Sequence, residues 1–404
     1  MCRTYPIENR QEDKEQVAIF KYLKASYKDR LIPAQRSIQK MKTLKHPYIL
    51  SYIESADYED SLVLVTEGCI PLERWLTDAS KDKSTRNDLE NDSLQQELLW
   101  GLKCILEALQ FLHTNNLVHN YLGLHSIFVA KSGDWKIGAL DLIGNMTVEE
   151  DFNFLKSFTN LLNKPYISPE REQSLIRCTE AERTSKLAVG SPADIYSLAY
   201  CIQNCFKLAN LVIPDGLSKY FSRMMSTDPK RRPTASQLSK CPVFSSESIQ
   251  LMASLSELAA LKPANESLEV LGKLVDKVPI LPTSICVHKI LPSLARTLQM
   301  ACTDFNNRDS REACRQVNYN LDIILDFLTF FSSWRVRNFT FFENFLNLIK
   351  TFWPNSLLLM KSKLKLKLKL KFIDENFLFI VFVINLFYFF FFCFFIFGIS
   401  FLLL

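Results

Sequence analysis

The stretch that decides the fold is His119-Asn120-Tyr121-Leu122-Gly123-Leu124-His125-Ser126. Before it, Leu94, Leu98, Leu102, Ile105, Leu109 and Leu112 recur at helical spacing and mark a long helix with one apolar face. After it come two short β-rich runs, Ile127–Ala130 and Trp135–Gly138, with Ser132-Gly133-Asp134 as a hairpin turn between them. A loop carrying His, Asn, Tyr and Ser side chains between a buried helix and a hairpin is the first candidate site in the chain.

Working outward, Gln16–Lys24 and Ser61–Glu67 read as strands. Between them Ala34–Lys45 reads as a helix, stopped by His46-Pro47 because the residue before a proline is pushed out of the helical region. Residues 77–93 hold one Leu and no other large apolar side chain, which predicts a solvated loop. From Asp194 onward the pattern is mainly helical. Ile249–Leu261, Glu266–Val278, Thr283–Met300 and Ser310–Phe331 read as successive helices, punctuated by Lys262-Pro263 and Leu281-Pro282. Strandless paired helices of this length suggest HEAT-like repeats, with a plain helical bundle as the alternative.

The decisive loop has the spacing of the protein-kinase catalytic loop, H-R-D-L-x-x-x-N. His119 and Leu122 match it; the chemical positions do not. Tyr121 stands where kinases carry the catalytic Asp, and a phenol titrating near 10 is a poor acceptor for a hydroxyl proton. Gly123 replaces a phosphate-contacting Lys and Ser126 the metal-binding Asn. In Lys136-Ile137-Gly138-Ala139-Leu140-Asp141, Ala139 takes the place of the magnesium-holding Asp. Asp141 comes two positions late, a displacement of about 6–7 Å along an extended chain, against a Mg–O bond of roughly 2 Å. No glycine precedes Gly68, so no Gly-rich loop covers a nucleotide, and Pro33–Pro47 holds no acid to pair with a strand lysine. Lys21 and Lys24 lie near the usual place of that lysine.

Residues that hold a kinase fold together are nevertheless present. Ser168-Pro169-Glu170 matches the A-P-E element, Arg232 the late arginine that pairs with its Glu, Asp194 the aspartate that holds the catalytic-loop backbone, and Thr66-Glu67 the hinge. The expected fold is a bilobal α+β protein-kinase-like domain followed by an α-helical, HEAT-like segment. Closer still, Lys42–Ile53, the His119-Asn120 pair, Gly133-Asp134-Trp135-Lys136-Ile137-Gly138 and Val287-His288-Lys289-Ile290-Leu291-Pro292 resemble the Scy-like pseudokinases. That resemblance implies a catalytically inactive scaffold in vesicle traffic between Golgi and endoplasmic reticulum. It would be cytoplasmic, associated with those membranes, and partnered by coatomer or small GTPases. No catalytic residue, metal or cofactor is expected, and ATP binding without magnesium stays open. The alternatives are a weak kinase with an unconventional metal site at Asp141, and a membrane-anchored adaptor.

Composition is consistent with these readings. The net charge is +5, of which residues 361–404 supply +4, so the rest is almost neutral and no DNA partner is expected. The eleven Cys show no zinc spacing; Cys201 and Cys205 read as packing residues, and the pattern suits a reducing compartment with no N-terminal signal segment. The expected organisation is a pseudokinase domain over 1–244 with an incomplete N-lobe, HEAT-like repeats over 245–331, an irregular Lys/Leu-rich linker over 332–376, and an apolar tail over 377–404. That tail holds 12 Phe among 28 residues and is long enough to contact or span a bilayer as a transmembrane helix. The other reading of the tail is translated AT-rich non-coding sequence.

Overall fold

The computed structural model describes residues 2–6, 16–26, 28–80, 86–177, 190–258 and 280–290, with 277 and 292 as single positions. All of these fall within one compact unit, Met1–Thr297. The chain begins with β1 (Cys2–Pro6), β2 (Gln16–Leu23), α1 (Leu31–Thr43), β3 (Tyr52–Asp57) and β4 (Ser61–Glu67). The four strands form an antiparallel sheet in the order β1-β2-β4-β3, with Ala18 opposite Thr66 and Tyr52 opposite Thr66 on the other side. β4 buries Leu62, Leu64 and Thr66 on one face and leaves Val63, Val65 and Glu67 half-buried on the other, the alternation of a strand with one face on the core. Helix α1 buries Ala34, Ile38 and Met41, one per turn, against this sheet.

The second lobe opens with β5 (Cys69–Pro71), α2 (Leu72–Ala79) and α3 (Asp88–Thr114). β6 (Ile127–Ala130) and β7 (Trp135–Ile137) complete a small sheet in the order β5-β6-β7. Then follow α4 (Glu149–Ser157), the three-residue α5 (Pro169–Arg171), α6 (Pro192–Ala209), α7 (Asp215–Met224), α8 (Ala235–Ser239) and α9 (Glu247–Leu258). Helical turns cover Thr283–Ile285 and Cys286–Ile290.

The expected loop over 77–93 is corrected at both ends. Helix α2 runs to Ala79, and α3 starts at Asp88, well before its first buried residue, Leu94. A capping box explains that early start: Asn87 Oδ1 accepts the Glu90 amide at 2.9 Å and Glu90 Oε2 accepts the Asn87 amide at 3.0 Å. Polar caps can nucleate a solvated first turn that an apolar pattern does not reveal.

The expectation of a transmembrane helix is likewise withdrawn: among the described residues no helix is long and apolar enough to cross a membrane. Residues 377–404, the linker over 332–376, the helix expected over 310–331 and, Lys277 apart, the helix expected over 266–278 lie outside the described residues.

Packing of α3 on β7 depends on one glycine. A Cβ on Gly101 would lie 2.1 Å from the Trp135 ring, and Trp135 is itself buried against Trp75. Only a residue without a side chain lets that indole lie on the helix. Gly101→Ala is expected to destabilise the protein by about 3 kcal/mol through overpacking, read as a lower urea midpoint at unchanged slope.

Candidate functional site

The loop over 119–126 is held from below by one carboxylate. Asp194, on α6 and fully buried, accepts the His119 amide at 2.8 Å on Oδ2 and the Asn120 amide at 3.0 Å on Oδ1. His113, from the end of α3, places Nε2 3.1 Å from the same Oδ2. Burial alone would raise the Asp194 carboxyl, but the His113 contact and the nearby Arg171 charge hold it below its ordinary range. Asn120 takes a left-handed φ of 65°, which Asn tolerates better than most residues. His119 Nε2 lies 3.0 Å from the Gly138 carbonyl, and Nδ1 accepts the Tyr121 amide at 3.2 Å. With Nδ1 an acceptor the ring is neutral, and burial also depresses its pKa.

The positions expected to be degenerate are committed to packing. Tyr121 lies against His125, ring centroids 4.4 Å apart, and burial pushes its phenol further above 10, with Asp141 adding to the effect. Any side chain at Gly123 would meet the His125 ring, since a Cβ there would be 2.5 Å from it. Ser126 turns its hydroxyl back on its own loop, accepting the Gly123 amide at 3.0 Å and donating to the Gly123 carbonyl at 2.9 Å. Ala139 sits at φ 49° and begins a single turn, Leu140–Leu142. Asp141 is buried in that turn, and desolvation raises its carboxyl to about 6. Among the described residues no cluster of three His, Cys, Asp or Glu could hold a metal ion.

Between the lobes lies a contact that sequence reasoning missed. Phe20, on β2 of the first sheet, meets Phe128, on β6 of the second, edge to face with centroids 5.3 Å apart. Phe128 also closes over Gly138, where a Cβ would come within 2.7 Å of its ring. The signal was in Val17-Ala18-Ile19-Phe20, which follows the kinase V-A-I-K element but ends in Phe. Lys21 and Lys24 instead pair with Asp60 at 4.0 Å and Asp57 at 2.6 Å, at the far end of the sheet. At the hinge, buried Thr66 donates to the Glu67 carbonyl at 3.1 Å. Both Glu67 carboxylate oxygens lie 2.7 Å from Lys136, and Oε1 also accepts the Ser51 amide.

The segment after Ala139 is bolted to α1. Arg36, in the middle of that acid-free helix, reaches Asp151 of α4 at 2.5 Å, bonds the Ile143 carbonyl through Nε and a terminal nitrogen, and lies over the Phe154 ring at 4.3 Å. Asp151 also accepts the Asn145 amide at 2.6 Å. Burial opposes ionisation of Asp151, but these bonds override it and keep the carboxyl below its usual range. Phe152 and Leu155 of α4 bury into a cluster with Val118, Leu142, Met146, Leu161 and Leu175.

The framework residues meet as their spacing suggests. Arg232 and Glu170 form a two-pronged pair, both contacts 2.6 Å, and Arg232 also bonds the Ser226 and Pro192 carbonyls. The next residue, Arg171, is buried too. It donates to the Asn120 carbonyl and to Asn120 Oδ1, while Asn120 Nδ2 donates to the Leu142 carbonyl at 2.8 Å. Asn120 thus ties the loop to the segments on either side of it, a role its sequence position alone did not reveal.

Asp194→Asn is expected to cost about 3 kcal/mol, because it replaces a charge-assisted acceptor by a group that cannot satisfy both amides. The folded Asp194 value lies below the ordinary 3.8. Its stabilisation is therefore present above that value and lost as pH falls through the folded value. Stability measured against pH should fall less steeply below pH ~4 in the variant than in the parent.

Comparison with known proteins agrees with this architecture. The protein kinase domain family matches residues 7–209, half of the chain. The probable inactive serine/threonine-protein kinase scy1 of Dictyostelium discoideum is 26% identical over 303 residues, covering 72% of this chain and 34% of that protein. SCY1-like protein 2 of Mus musculus is 26% identical over 324 residues, covering 70% and 34%. The mouse protein-associating with the carboxyl-terminal domain of ezrin is 26% identical over 272 residues, covering 66% and 34%. The chain thus spans about a third of the length of these relatives. Among solved structures, the crystal structure of Cex1p aligns with a TM-score of 0.52 at 17% identity, covering 80% of this chain and 56% of that one, a likeness of fold. By its matched domain and two-lobed architecture the chain belongs to the protein kinase domain family, with Scy1-like proteins among its relatives.

Proposed function

We propose that this chain is a kinase-fold scaffold that transfers no phosphate. The observation that carries the reading is the Phe20–Phe128 contact, which puts apolar rings between the lobes where the fold family holds its phosphate-pairing lysine. The residues present do not fit magnesium-ATP. Ala139 offers no ligand, the Ser126 hydroxyl is spent on Gly123, and Asp141 is enclosed in its own turn. Phosphoryl transfer depends on metal and cationic charge placed at the phosphates, and no base stands at Tyr121 to take the hydroxyl proton. The name of the Dictyostelium relative, a probable inactive kinase, supports the same reading.

What remains is a set of fixed surfaces. Helix α4 is locked on α1 by Arg36 and Asp151, so the segment that kinases use to seat a protein substrate is part of the core. We place this scaffold on the cytoplasmic side of Golgi and endoplasmic-reticulum membranes, with coatomer or small GTPases as protein partners; the support is the family resemblance.

Labelled-phosphate transfer from magnesium-ATP to generic protein substrates should stay at background with the full chain, and Asp141→Ala should change nothing. Turnover that Asp141→Ala abolishes would establish the weak-kinase alternative instead. For the partners, purified coatomer passed over the immobilised chain should be retained; failure to retain coatomer or any GTP-loaded small GTPase would remove the trafficking assignment and leave the non-catalytic one intact.

A further inference from the structure

Two motifs singled out in the sequence contribute only Lys136, at the hinge, to the site above. One is Gly133-Asp134-Trp135-Lys136 in the β6–β7 hairpin; the other is Val287-His288-Lys289-Ile290, beyond the matched kinase domain. They are two halves of one contact. Lys289 Nζ lies 2.5 Å from Asp134 Oδ1 and 4.5 Å above the Trp100 ring, and it donates to Ser256 Oγ of α9. The Asp134 carboxylate also accepts Trp100 Nε1 at 2.8 Å and the Ser132 hydroxyl at 2.7 Å. Beside this pair, Ile285 comes 3.1 Å from where a Cβ on Gly133 would sit.

The ion pair is out of water: the side chains of Lys289 and Asp134 are 5% and 13% exposed, and Trp100 is fully buried. A buried ammonium is tolerated only while its hydrogen-bond partners and counter-charge stay in place. Lys289 draws its partners from two elements, the hairpin and α9, and rests on a third, α3. Separating any of them strands a charge.

The same indole reaches the first lobe. Tyr48, in the loop between α1 and β3, meets Trp100 edge to face at 6.2 Å. Its carbonyl accepts the Ile137 amide, and the Ile137 carbonyl accepts the Leu50 amide, both at 2.9 Å. A backbone bridge of Ile49 to Ile137 thus joins the lobes next to the Lys289–Asp134 pair. A second tie, Glu67 to Lys136, joins the hinge to the neighbouring residue of the same hairpin.

We infer that α9 and residues 281–290 form a built-in clamp, in which Lys289, seated on Asp134 and Trp100, fixes the first-lobe loop Tyr48–Leu50 to the β6–β7 hairpin and holds the two lobes in one relation. The clamp replaces the opening and closing that a nucleotide-driven kinase needs with a single rigid block. It also explains why sequence features shared with the Scy-like family continue past the kinase domain: α9 and residues 281–290 brace that domain.

Amide hydrogen exchange on the full chain tests this. Lys289→Met is expected to speed exchange at least tenfold at Leu50, Ile137, Met252 and Leu255, with α6 unaffected. A rise confined to residues 283–290 would overturn the clamp, because the lysine would then hold only its own segment. Should the variant not fold, the parent protein decides the question under increasing sub-denaturing urea. Leu50, Ile137, Met252 and Leu255 are then expected to open together as one unit. Opening of Met252 and Leu255 at lower urea, with Leu50 and Ile137 still protected, would contradict it.

Discussion

A single buried carboxylate organises the centre of this molecule. Asp194 accepts two successive backbone amides, those of His119 and Asn120, and a third contact from His113. A charge so deep is stable only because every lone pair that matters is met. In return it dictates the path of the loop from His119 to Ser126, including the left-handed turn at Asn120. From there the constraints spread outward. Asn120 fixes Arg171, Arg171 comes directly after Glu170, and Glu170 is gripped by Arg232. The lower lobe is therefore held by linked buried charges as well as by a packed hydrocarbon core, although Arg171 Nε finds no hydrogen-bond partner.

Around that frame, positions that serve chemistry in active kinases have been taken over by packing. The His125 ring fills the space next to Gly123, Phe20 and Phe128 fill the space between the sheets, and the Ser126 hydroxyl closes its own loop. Arg36 shows the same substitution of roles. Active kinases join this helix to a strand lysine through an acid; here a base joins it to the segment below, at Asp151. The charge has reversed and the partner has changed, but a helix that would otherwise swing is still tied down. Such replacements give a surface of fixed shape, which suits a protein recognised by others more than one that must open for a small molecule.

Much of this was legible in the sequence. The order His119, Glu170, Asp194, Arg232 carried the fold, because each residue is bound to a unique geometric job and their spacing is a fingerprint. The missing acids at 121 and 139 were equally plain. What could not be read were the long-range pairs outside the kinase motifs. Nothing in Arg36 announces Asp151, and nothing in Lys289 announces Asp134, because a salt bridge leaves no local periodicity. Phe20 was readable in principle. Lys21 and Lys24 drew the eye because kinases carry a lysine nearby, whereas the strand register puts Phe20 at the interlobe contact and both lysines in surface pairs. The early start of α3 escaped because capping by Asn87 and Glu90 works through backbone amides, which an apolar pattern does not report.

On the proposed reading, this molecule keeps the geometry of a kinase without the groups that hold a nucleotide and its metal. A crystal structure of the full chain grown with excess magnesium and a non-hydrolysable ATP analogue tests that claim most directly. The Phe20 ring should still rest on Phe128, with neither nucleotide nor metal between the lobes. Density for a triphosphate there, with magnesium on the Asp141 carboxylate, would contradict it.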